Sequence, residues 1–253
     1  YGSVSQGYKA GGVNQHPYLA EENRLYDPEN ILNFELGMHS YKKNSIIRLT
    51  AFHAQRNNQQ VSISSQQLAG DPNSFMFYTD NATSGTLSGL EVEGKYRINT
   101  QLNISTSLGI INSKVDAFYF FTDSLTNTKQ GDREPAHAPK YSYSLNANYK
   151  TPFGIFAQLN LTAKDEFYFS DSHHEMSEPY QLLNGHIGFD FGNWSVKVWG
   201  RNILDVRYAT RGFYFGLEPV WNEEFQYHEY PDRKYVSFGD PAHFGITLDY
   251  AFD

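Results

Sequence analysis

The sequence predicts an all-β fold, a transmembrane antiparallel β-barrel wall to which this chain supplies about ten strands. Three observations predict it. Apolar and polar side chains alternate residue by residue in segment after segment, the connections alternate between short and long, and aromatic residues gather beside the short ones. Successive side chains of a strand point to opposite faces, so each segment has one greasy wall and one polar wall.

Taken in order, a weaker run over 1–11 opens the series. Leu32, Phe34, Leu36 and Met38 then alternate with Asn33, Glu35, Gly37 and His39. A second weak run over 44–56 precedes Leu90, Val92, Tyr96 and Ile98, which alternate with Glu91, Glu93, Lys95 and Arg97. Leu102, Ile104, Leu108 and Ile110 oppose Asn103, Ser105, Ser107 and Gly109. Tyr141, Tyr143, Leu145, Ala147 and Tyr149 oppose Ser142, Ser144, Asn146 and Asn148. Ile155, Ala157, Leu159, Leu161 and Ala163 oppose a face of Phe156, Gln158, Asn160, Thr162 and Lys164. Leu183, Ile187, Phe189 and Phe191 oppose Asn184, His186 and Asp190, and a weak run follows over 194–202. The closing segment is the clearest: Phe244, Ile246, Leu248, Tyr250 and Phe252 against His243, Gly245, Thr247, Asp249 and Ala251. Each segment is near the ~9–11 residues that cross a bilayer when tilted.

The short connections are 41–44, 97–101, 150–154 and 191–194; the long ones are 12–30, 57–88, 116–139, 169–179 and 209–241. Tight turns on one side and long loops on the other are how an outer-membrane barrel is organised. Tyr41, Tyr96, Tyr149, Phe153, Phe191, Trp194, Tyr250 and Phe252 lie beside the short turns, where an interfacial aromatic girdle belongs.

Composition is compatible with this reading. No apolar run reaches the ~18 residues of a spanning helix, and a mean hydropathy of -0.57 does not bear on strands that contribute only alternate apolar residues. The chain has no cysteine, which fits a compartment where no disulfide is needed. A net charge of -8 and the lack of a basic stripe argue against a nucleic-acid partner. A soluble sandwich or lipocalin-like barrel would point its apolar face inward. The polar face here carries Glu91, Glu93, Lys95, Arg97, Lys164, Asp190, Lys197 and Arg201, which suits a wet or plugged lumen. Tyr1 begins without a charged start or an apolar h-region, so residues 1–253 read as one barrel portion of a longer precursor.

Specific motifs point to a family. Gly7-Tyr8-Lys9-Ala10-Gly11-Gly12-Val13-Asn14, Asn33-Phe34-Glu35-Leu36-Gly37 and Ser88-Gly89-Leu90-Glu91-Val92-Glu93 resemble signatures of the TonB-dependent outer-membrane receptors. Trp199-Gly200-Arg201-Asn202-Ile203-Leu204-Asp205 with Tyr208 is similar to their late N-[IL]-[FL]-D-x-x-Y element. Gly239-Asp240-Pro241, Phe244-Gly245 and Tyr250-Ala251-Phe252 resemble their closing strand. The resemblance implies a plugged barrel of roughly 22 strands, of which this chain supplies about the last ten with five outer loops. It places the plug domain and the TonB box upstream, and implies energy coupling by TonB-ExbB-ExbD in the outer membrane of a Gram-negative cell. Outer-membrane lipid and lipopolysaccharide would surround the wall. Two departures stand out: Asp253 follows the terminal aromatic, and the F-R-A-P and N-P-N-L boxes of haem-uptake members are replaced by Tyr8-Lys9-Ala10-Gly11 and Leu25-Tyr26-Asp27-Pro28-Glu29-Asn30. The pattern looks more like the ferric-siderophore branch.

The implied activity is active uptake of a scarce nutrient, a ferric siderophore first and a carbohydrate or other bulky nutrient second. It requires no catalytic residue, cofactor or resident metal. Ligand contacts are expected on the loops. Arg211, Phe213, Tyr214, Trp221 and Tyr227 in 209–241 offer stacking faces and a cation for an anionic chelate. His173 and His174 in 169–179, and Gln15, His16 and Tyr18 in the first loop, are further candidates. Glu91, Glu93 and Arg97 on the inner wall are expected to face the plug. A barrel enzyme is the competing class, but no G-x-S-x-G elbow or H-E-x-x-H helix occurs. A passive porin is the third.

Overall fold

The computed structural model describes residues 1–252 apart from 18, 20, 67–70, 122–126, 216–217 and 232. In chain order its strands are β1 (Gly2–Lys9), β2 (Gly12–Val13), β3 (Leu25–Tyr26), β4 (Glu29–Lys42), β5 (Ser45–Gln66) and β6 (Phe75–Arg97). There follow β7 (Leu102–Val115), β8 (Phe118–Phe121), β9 (Asn127–Gln130), β10 (Tyr141–Lys150), β11 (Ile155–Lys164) and β12 (Tyr180–Phe191). The last are β13 (Trp194–Arg201), β14 (Ala209–Phe215), β15 (Val220–Asn222), β16 (Tyr227–Glu229), β17 (Arg233–Phe238) and β18 (His243–Tyr250). Ten of them pair antiparallel in one sheet, in the order β1-β4-β5-β6-β7-β10-β11-β12-β13-β18. The wall is thus a meander of sequential neighbours, and the remaining strands form small ribbons inside the long connections.

Register fixes the two faces. Directly opposed residues of an antiparallel pair share a face. Between β13 and β18, Val196 opposes Leu248 and Val198 opposes Ile246, while Lys197 opposes Thr247 and Arg201 opposes His243. Between β6 and β7, Val92 opposes Leu108 while Glu91 opposes Gly109 and Glu93 opposes Ser107. The apolar face is not a core: Ile246 is 73% exposed, Phe244 65% and Leu248 59%. A greasy wall left open in this way is stable facing lipid and unstable facing water.

Two glycines show how the inner face stays close-fitting. A Cβ at Gly245 would sit 2.3 Å from the Trp199 ring, and one at Gly89 would sit 2.4 Å from the Phe52 ring. Each aromatic lies across its neighbour strand where a larger residue would collide with it.

The buried apolar cluster lies in the loops. Leu19, Val61, Ile63, Met76, Tyr78, Ala82, Val115, Phe118 and Phe120 pack together where the β5–β6 hairpin projects past the sheet. The connection expected over 57–88 is therefore strand for most of its length: β5 runs on to Gln66 and β6 starts at Phe75, paired from Gln59–Ala82 to Gln66–Phe75. At about 3.3 Å per residue the ten residues 57–66 carry the ribbon about 33 Å beyond the bilayer-length part of the hairpin. The polar run Asn57–Gln60 hides this continuation in the sequence, because only Val61 and Ile63 mark its buried face. Tyr41 also departs from expectation. It opposes Ile46 on the face that carries His39, so it belongs to the polar wall rather than to the outer girdle. Trp194 and Tyr250, by contrast, oppose each other on the apolar face with ring centroids 4.6 Å apart.

Candidate ligand-binding site

At the long-loop end, three connections converge on Arg133. It follows β9 in the connection 116–139, where Gly131 and Asp132 both take positive φ. One guanidinium nitrogen, Nη2, donates to the carbonyls of Ser170 (2.9 Å), Asp171 (3.0 Å) and His173 (2.8 Å), and Cζ lies 3.9 Å from the Tyr168 ring centroid. Burial pulls its pKa down, since the cation loses water on entering this knot. Asp171 returns the connection by accepting the Ala136 N–H at 2.8 Å. The third connection joins through Phe169, whose ring fills the space over Gly212, and through Lys234, whose Nζ donates to Glu175 at 3.1 Å.

His137 sits beside this junction, its ring centroid 5.1 Å from that of Phe167. Its pKa is lowered, first by partial burial and then by the charges of Arg211 and Lys164. Lys164 Nζ lies 5.6 Å from the Phe167 ring centroid, and the carboxylate of Asp171 acts on His137 in the opposite sense, so the mouth sets two cations, a carboxylate and an imidazole beside a phenyl ring. Neither Arg211 nor Lys164 forms an ion pair with a described residue.

The expected site residues divide between this mouth and other places. Arg211 and Phe213 lie on β14, with Phe213 stacked on Tyr235 across the ribbon at 6.1 Å. Tyr214 has a described backbone only, opposite Lys234, and Tyr18 lies outside the described residues. Trp221 and Tyr227 belong to the β15–β16 hairpin, where Trp221 packs edge-on to His228 at 5.1 Å and Tyr227 donates to Glu229 at 3.3 Å. His173 contributes its carbonyl to Arg133, while His174 is exposed. Gln15 and His16 lie far along the sheet, in a loop that Asn14 fastens to the β5–β6 ribbon through Thr79 at 2.7 and 2.9 Å. Among the described residues no three His, Cys, Asp or Glu side chains converge as a metal site would need. On the inner wall Glu93 pairs with Arg48 at 3.0 Å, Glu91 lies opposite Thr50, and Arg97 lies opposite Asn103.

Sequence reasoning missed two features. A groove of about 740 Å³ runs down the inner face of β11, β12, β13 and β18, with His186, Lys197, Trp199, Arg201 and His243 among its lining. Trp199 Nε1 donates to Thr247 at 3.1 Å. Beside it runs an amide ladder: Asn184 Nδ2 donates to Asn160 at 3.2 Å, and Asn160 Nδ2 to Asn146 at 2.7 Å. The parity of Lys197 and Arg201 would have placed Trp199 on this face. No local signal marks Arg133, which acts across long sequence separation.

A sheet greasy on one face, polar on the other and crowned at one end by interlocked loops defines part of the wall of a β-barrel receptor. Residues 1–203 match the family model described as TonB dependent receptor-like, beta-barrel, and the chain belongs to that family. It is 24% identical over 224 residues to the pesticin receptor of Yersinia pestis, covering 87% of this chain and 31% of that protein. The fold resembles the ferric yersiniabactin uptake receptor FyuA from Yersinia pestis, with a TM-score of 0.73 at 18% identity over 100% of this chain and 34% of that one. It also resembles the siderophore receptor PiuA from Acinetobacter baumannii, with a TM-score of 0.65 at 17% identity over 98% of this chain and 34% of that one. The chain therefore spans about a third of the length of these relatives.

Proposed function

We propose that this chain is part of a TonB-dependent receptor that takes up a ferric siderophore across the outer membrane of a Gram-negative cell. The long-loop end faces outward and captures the chelate, and the polar wall encloses a plug coupled to TonB-ExbB-ExbD. The observation that carries the reading is the exposed apolar wall of a sheet belonging to this receptor family. The mouth around Arg211, Lys164 and His137 supports an anionic chelate with an aryl or other flat group. The relatives named for siderophore uptake point the same way. In this reading Arg211 and Phe213 touch ligand, while Trp221 and Tyr227 shape the rim. Equilibrium binding of the full-length receptor to ferric hydroxamate, catecholate and carboxylate chelates is the test. Saturable binding to one class, weakened by Arg211→Gln, is expected; no binding to any of the three overturns the siderophore assignment.

A further inference from the structure

The crown has two packed centres, the apolar nucleus of the β5–β6 projection and the junction at Arg133, and the connection 116–139 takes part in both. Its first residues reach the nucleus: Phe118 and Phe120 of β8 are buried there beside Val115, the last residue of β7. Its later residues reach 169–179. Arg133 donates to the carbonyls of Ser170, Asp171 and His173, and Gln130 Nε2 donates to that of Ser172 at 3.2 Å. Four successive carbonyls of one connection are thus held by two side chains of another.

Two cross-links tie the centres to each other. The Val115 N–H donates to the Arg133 carbonyl at 2.9 Å, so a residue of the nucleus and the cation of the junction share a backbone bond. Phe118 opposes Gln130 across the β8–β9 ribbon, which puts a ring of the nucleus and the amide that holds Ser172 on one ribbon face, both buried. Melting the nucleus releases Phe118 and the ribbon face that carries Gln130. Withdrawing Arg133 from 170–173 pulls on its bond to Val115. Further links run outward from each centre. Asn14 fastens the first loop to Thr79 by two bonds, while Phe169 and Glu175 meet Gly212 and Lys234 of the last loop. Packed side chains and hydrogen bonds in unbroken contact are the material through which one local opening reaches another.

We propose that the connection 116–139 is a keystone through which the β5–β6 projection and the connection 169–179 open together, as one cooperative unit rather than as independent loops. A molecule that binds any one of these connections then slows opening of the others, with no rearrangement of the wall.

The test is amide exchange of the full-length receptor in nanodiscs, read on segments 59–66, 167–177 and the wall strands β13 and β18. Phe120→Ala, made in the nucleus, is expected to lower protection at the Phe169 and Ser177 amides by at least about tenfold. Arg133→Met, made at the junction, is expected to lower it over 59–66 by at least about tenfold, with β13 and β18 unchanged. Phe120→Leu leaves a smaller cavity and should show the same sharing to a lesser degree, which keeps the test open should the alanine variant not fold. Losses confined to 59–66 for the Phe120 variants and to 167–177 for Arg133→Met overturn the proposal. So does an equal loss in β13 and β18, since the crown would then not be a unit of its own. No chelate enters the measurement, so this inference and the siderophore assignment fail independently.

Discussion

Replacing Ile246 by arginine is costly if its face meets lipid and nearly neutral if it meets water. Ile246 is 73% exposed, lies midway along β18 and faces the same side as Val198, Phe244 and Leu248. On a water-facing surface such a change falls within about 0.5 kcal/mol of neutral. At the middle of a lipid-facing band, an arginine costs about 2–4 kcal/mol. At 1.4 kcal/mol per decade, the folding equilibrium constant should fall roughly 30- to 700-fold. The next residue supplies the control: Thr247 opposes Lys197 on the polar wall, so Thr247→Arg should cost well under the Ile246 value. The assay is reversible urea unfolding of the full-length receptor in lipid vesicles, followed by tryptophan fluorescence. Equal costs for the two substitutions, or a neutral Ile246→Arg, would refute the assignment of faces and with it the membrane reading.

Two further predictions concern the loops. Arg133→Met removes three donor contacts to carbonyls of 169–179 and should open that connection by about 3 kcal/mol, roughly a hundredfold in amide exchange at Phe169 and Ser177, with the wall strands unchanged. His137 has its folded pKa lowered, so the folded junction binds fewer protons than the unfolded chain. Its contribution is present above the ordinary histidine value near 6.5 and is lost as pH falls through the lowered one. Protection of the amide at position 137, which donates to the Tyr168 carbonyl at 2.9 Å, should fall on acidification once exchange is corrected for its intrinsic base catalysis, and His137→Gln should abolish that fall.

Most of the wall was legible because strand parity is a local property. Alternation at Ile155–Ala163 or Phe244–Tyr250 assigns a face without knowledge of any partner, and the turns between short-spaced segments leave one pairing scheme. What escaped is non-local. The β5–β6 projection reads as polar loop until Phe118 and Phe120 arrive to bury Val61 and Ile63. Arg133 sits in a Gly-Asp-Arg-Glu-Pro run that looks solvated, yet its partners lie 37–40 residues away. Arg211 was legible as a cation on the richest loop, but its electrostatic reach to His137 depends on the connections 116–139 and 209–241 folding together.

The aliphatic and aromatic nucleus held above the sheet by Ile63, Met76 and Phe118 separates two requirements that a single core would bind together. Insertion into the bilayer depends on the outer rows of the wall, whereas the architecture of the crown depends on its own packed interior. Substitutions in the crown can therefore accumulate without endangering assembly of the wall beneath it.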